Sequence, residues 1–150
     1  MESFTKQDFS VVYWLKDLFS EYSFINIVEE YPEDGLQLPA IAVDMDTINL
    51  VPFELGSRDR LGIRTWFLDI YAKNKRQRNE MGYKIIEELE DVSIPINNYD
   101  EGFPPDVTPS VIGYLSVDDI ELKIIQVLPE LTEKMYYRSL VRFTTEYKQD

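Results

Sequence analysis

The chain has 150 residues, a formal net charge of −13, and no cysteine or histidine. Its length fits one domain with its own core, while the missing residue types exclude disulfides, thiolate metal sites, cysteine nucleophiles and histidine bases. An apolar content of 44% is too high for disorder, and the acidic balance argues against a general nucleic-acid binder.

The opening segment, "MESFTKQDFSVVYWLKDLF", lacks a basic start and an unbroken apolar run, so no signal peptide is expected. No stretch reaches the roughly 18 apolar residues of a membrane span, which leads to the expectation of a soluble protein made in a cytoplasm. A helix is predicted from about Thr5 to Tyr22, where Val11, Val12, Leu15, Leu18, Phe19 and Tyr22 recur at three- and four-residue spacing. Strands are predicted at Phe24–Tyr31 and over 38–46, separated by a "PEDG" turn. A third is predicted over 47–55, where Pro52 marks an edge or a bulge.

"GSRDR" reads as a hairpin turn into a strand over 61–72. Trp66, Leu68, Ile70 and Ala72 share one face of it, and Phe67 and Tyr71 flank Asp69 on the other. Apolar groups on both faces predict a central strand covered twice. A second helix is predicted from about Lys75 to Asp91, with Asn74 as N-cap and Met81, Ile85, Ile86 and Leu89 as its apolar stripe. A short strand follows, then a loop at 100–110 that contains three prolines, then a hairpin turning at Asp118–Asp119. The last strand sets Tyr137, Val141, Phe143 and Tyr147 on one face against Arg138, Arg142 and Glu146 on the other, with Leu140 an apolar member of that second face. The order predicts an α+β fold, a mostly antiparallel sheet with two helices packed on it, in one domain.

Positive charge is concentrated. Residues 1–57 hold 2 basic and 11 acidic side chains, residues 58–84 hold 8 and 3, and residues 85–150 hold 5 and 14. Lys75, Arg76 and Arg78 fall in the first turn of the second helix and Glu87, Glu88, Glu90 and Asp91 in its last, against the helix dipole. Arg76–Glu80 and Lys84–Glu88 are i,i+4 pairs in the weaker orientation, and only Glu80–Lys84 has the stronger one. Such charges are expected to face something outside the chain, and acidic patches on an identical neighbour would serve in a head-to-tail contact. The candidate interface residues are therefore Arg58, Arg60, Lys73, Lys75, Arg76, Arg78, Arg138 and Arg142. Phe103, an aromatic beside prolines, is added as a candidate anchor.

One pattern points to catalysis. Pro105–Asp106 followed by Glu121-Leu122-Lys123 resembles the signature of metal-dependent nucleases, in which two carboxylates hold Mg²⁺ and a lysine assists the attacking water. The spacing is permissive, and a solvent-facing hairpin edge beside a loop explains it equally. Asp44 and Asp46 could also hold a cation, but they fit better as the point where a strand leaves the core. There is no glycine-rich phosphate loop. The expectation is a non-enzymatic chain with no cofactor and no metal.

"FELGSRDR" followed by "WFLDIYAKNKRQRNEMGYKIIEEL" resembles the tail terminator, or tail completion, proteins of long-tailed bacteriophages. The matched positions are Pro39, Ala40 and Val43, then Leu55, Gly56 and Ser57, then Tyr71, Ala72 and Asn74. "IPINNYDEG" and "YYRSLVRFTTEY" also sit where that family has a short strand and a final long one. The proline-rich segment at 103–109 is not part of the pattern. The resemblance implies a subunit of a ring, typically a hexamer, in the virion at the head–tail junction. That ring caps the tail tube protein, stops its polymerisation and offers a docking surface to the head-completion or connector protein. DNA would pass through an acidic lumen without specific binding, and no membrane or cofactor is implied. Another head–tail joining (neck) protein is the alternative expectation.

Overall fold

Two helices and six strands follow one another as α1 (Ser3–Leu18), β1 (Asn26–Val28), β2 (Ala40–Pro52), β3 (Arg60–Ala72), α2 (Lys75–Asp91), β4 (Ile94–Asn97), β5 (Val111–Ile125) and β6 (Tyr137–Gln149). The computed structural model describes residues 2–22, 25–28, 37–52, 56, 60–125 and 137–149. The "PEDG" turn, the ends of the predicted first and third strands, Leu55, and residues 57–59 with Arg58 lie outside the described residues.

The strands form one sheet in the order β1-β2-β3-β6-β5-β4. All pairings are antiparallel except β1 with β2. The fold is α+β, as the sequence predicts. β3 lies near the middle because its Arg64, Trp66, Leu68 and Ile70 form an unbroken buried row, which needs neighbours on both sides. Register places Trp66 opposite Phe143 and Leu68 opposite Val141 on β6, all of them buried. α1 touches both outermost strands, β1 and β4, so the sheet curls around it, while α2 packs on β3, β5 and β6. Val11, Val12, Leu15 and Phe19 from α1 and Met81, Ile85 and Leu89 from α2 share one core with the sheet. α2 lies close because Gly82 faces Leu122, where a Cβ would come within 3.0 Å of the Leu122 methyl.

α2 has the predicted bounds, and the Asn74 side chain accepts from the Gln77 N–H at 2.8 Å. Three expectations are corrected. The predicted second and third strands are one strand, β2, with a bulge between Met45 and Ile48. The predicted hairpin at Asp118–Asp119 does not form; β5 runs straight through, with a bulge between Asp118 and Glu121. Asp119 takes φ 49° there, and the Asp118 side chain accepts from its N–H at 3.0 Å. The turn-forming chemistry is thus used to bend a strand rather than reverse it. Finally, both helices lie on one face of β3. Phe67 and Asp69 on the other face are half-buried beside cross-strand side chains, and no described helix packs there.

Candidate functional site

Among the described residues the predicted basic side chains fall into separate groups within the chain. Arg60 opens β3 and Lys73 follows its far end, so the thirteen-residue strand separates them by about 40 Å. Arg78 is buried at 6% exposure, its Nε donating to Asn79 Oδ1 at 3.1 Å, and cannot belong to an exposed interface. Position 78 lies four residues before Gly82, on the sheet-facing side of α2, which the run of charge in the sequence conceals. Lys73, Lys75 and Arg76 are exposed around the start of α2, and Arg76 pairs with Glu80 at 2.8 Å. Because Lys75 opposes the helix dipole, Lys75→Glu should stabilise the fold by about 0.3–1 kcal/mol in urea unfolding. If Lys75 also meets an acidic partner, the same change weakens assembly; loss of fold stability instead would contradict the dipole account.

Arg138 and Arg142 lie on the face of the sheet opposite the helices. Arg138 reaches Asp69 at 3.4 Å and sits over the Tyr71 ring at 4.8 Å. Burial pushes the Asp69 carboxyl up, Arg138 pulls it back, and Asp44 adds a further upward push. Register aligns Asp44, Phe67, Arg142 and Glu121 in one row across four strands, with Ala42, Asp69, Leu140 and Lys123 in the next. This outer face mixes alternating charge with half-buried Phe67 and Leu140. No described helix covers it.

Phe103 is not a free anchor. Its ring stacks on Phe9 at 4.5 Å and meets Tyr99 edge-on at 5.2 Å, with Lys16 at 5.7 Å over its face. Lys6 bonds Asp100 at 3.0 Å and lowers that carboxyl. The proline-rich loop is thereby fastened along α1, leaving Val107 exposed at 69%. Asp106 borders a hollow beside Tyr13, Lys16 and Ser20 of the α1 segment. Glu121 and Lys123 project from the outer face of β5, away from the helices. Among the described residues no group of three or more carboxylates is placed to hold a metal. Asp44 and Asp46 accept from the Met45 N–H and the Thr47 hydroxyl, at the point where β2 passes from buried to exposed.

One cluster was missed in the sequence. Arg64 is buried on the core face of β3, its guanidinium 4.2 Å over the Trp66 ring. It donates to Asp8, to Gln7 Oε1 at 3.0 Å and to the Phe4 carbonyl at 3.2 Å, tying the first turns of α1 to the sheet. Burial lowers its affinity for the proton and Asp8 offsets this. The signal was available, since Arg64 stands two residues before Trp66 on the same strand face. Neither a scan of known protein-family models nor a search of curated proteins finds a match to this chain.

Proposed function

We propose that this chain is a ring-forming subunit of a bacteriophage virion that caps the tail tube, halts its growth and presents a docking surface to the head-side connector. The observation that carries the proposal is the outer face of the sheet, which no described helix covers and where charged side chains share rows with half-buried Phe67 and Leu140. A mixed polar and apolar face of this kind suits a neighbour more than bulk water. The resemblance at Pro39, Ala40 and Val43, at Leu55, Gly56 and Ser57, and at Tyr71, Ala72 and Asn74 supports the same reading. A net charge of −13 would also keep a DNA duplex from adhering to the lumen of such a ring.

Light scattering on the purified chain should give a mass several times 17.7 kDa. Added to polymerising tail tubes, the chain should shorten them, with a ring at one end in negative-stain images. A monomer at every concentration that leaves tube length unchanged would sink the proposal. Mg²⁺-dependent DNA cleavage that is lost in Glu121→Gln would replace it with the nuclease.

A further inference from the structure

Along the solvent side of α2, Arg76, Glu80, Tyr83, Glu87 and Glu90 recur at alternating four- and three-residue spacing, so they form one straight row. All of them are exposed, Tyr83 at 48%. Tyr83 is also the middle residue of Lys75–Asp91. A large aromatic therefore faces solvent at the centre of the helix, with Lys75 and Arg76 toward one end and Glu87, Glu90 and Asp91 toward the other. At the basic end lies a shallow hollow of about 480 Å³, lined by Lys75, Arg76, Asn79, Glu80 and Tyr83.

This order opposes the helix's own dipole, yet it complements itself once turned end for end. A second copy of α2 laid antiparallel across Tyr83 sets each basic end beside an acidic one, whereas a parallel copy sets like beside like. The antiparallel pair is two-fold symmetric, so Tyr83 meets Tyr83 at its centre and every other contact occurs twice. We infer that α2 is a contact between two copies of this chain, packed antiparallel, with the Tyr83 rings touching and Glu90 of the second copy entering the hollow beside Lys75 and Arg76. Glu80 then comes near Glu87 of the second copy, and that like pair limits the affinity. A 17-residue helix is only about 25 Å long, so the contact is small and weak. The inference stands apart from the ring reading. A two-fold contact ends at two copies, so it joins two free chains or two rings face to face.

The absence of native cysteine makes the test direct. Packed helices lie about 8–10 Å apart, which brings facing Cα atoms within the roughly 7 Å limit for a disulfide. Mild oxidation of Tyr83→Cys should therefore give a covalent dimer and nothing larger, while Thr108→Cys, exposed on the proline-rich loop, should give none. Within one helix positions 76 and 90 are about 21 Å apart, so any bond in the Arg76→Cys/Glu90→Cys chain joins two copies. That variant should stop at the dimer as well. In sedimentation, Arg76→Glu should weaken association by about 3–10-fold, because symmetry repeats the change, and adding Glu90→Arg to the same chain should restore it. Glu80→Gln should tighten it. Circular dichroism checks that each variant is folded. No dimer from Tyr83→Cys beyond that from Thr108→Cys would overturn the inference. So would a ladder of multimers from Arg76→Cys/Glu90→Cys, which would put α2 in a head-to-tail contact instead. Rings that form without the Tyr83→Cys bond remove this contact alone. A Tyr83→Cys dimer from a chain that never exceeds two copies keeps the contact and removes the ring.

Discussion

Trp66→Ala is expected to cost about 3–5 kcal/mol, enough to consume much of the roughly 5–15 kcal/mol by which a domain is stable. The side chain is 1% exposed and stacks with Phe143 at 6.3 Å between centroids. Its Nε1 donates to Thr145 Oγ1 at 2.9 Å in the buried interior. Truncation leaves a cavity, strips the Thr145 oxygen of its donor, and takes away the surface over which the Arg64 guanidinium lies. Trp66→Phe should be milder, about 1–2 kcal/mol, because most of the ring volume remains while the hydrogen bond is lost. Urea unfolding monitored by circular dichroism separates these cases. An alanine variant with the parent's midpoint would mean that this face of β3 is not the core.

The second large effect is an asymmetry between two partners of one ion pair. Arg64 is 1% exposed as a side chain and Asp8 is 42% exposed. Asp8→Ala removes the carboxylate and leaves the guanidinium charge buried, at a cost of about 2–3 kcal/mol, below the usual cost of breaking a fully buried pair because water reaches the Asp8 side. Arg64→Met keeps the aliphatic stem against Trp66 and lets Asp8 rehydrate, so less than about 1.5 kcal/mol is expected. Unfolding midpoints should therefore place Asp8→Ala below Arg64→Met. The reverse order would mean that the hydrogen bonds from Arg64 to Gln7 and the Phe4 carbonyl, rather than the charge pairing, hold α1 in place.

The contrast between local and distant information explains which features could be read from the sequence. α2 was legible to its ends because its apolar period and the Asn74 cap lie within its own residues. The buried face of β3 was legible for the same reason, Trp66, Leu68 and Ile70 alternating without interruption. The course of β5 is not legible because Asp118–Asp119 carries turn chemistry, and only the pairing with β6 carries the strand on across the bulge. Arg78 and Phe103 were misplaced because their burial depends on the sheet and on α1, elements remote in sequence. The parallel pairing of β1 with β2, and the position of β6 between β3 and β5, leave no local trace. The grouping of the basic residues is the least legible, since linear charge density does not follow the fold, which sends Arg60 and Lys73 to opposite ends of one strand.

That position of β6 also sets the order of events as the chain is made. The sixth strand in sequence is a middle strand in space, flanked by β3 and β5. Its first residue, Tyr137, emerges 65 residues after β3 ends at Ala72, several seconds later at synthesis rates of about 5–20 residues per second. Through that interval the hairpin of β2 with β3 and the ladder of β4 with β5 are halves without a shared seam. The contacts that join them span long separations, such as Trp66 with Phe143 and Leu68 with Val141. Loop-closure entropy must be overcome before such pairs stabilise anything, so closure is slow and comes late. The core, including the apolar stripe of α2, becomes watertight only when that last strand slides between its two neighbours.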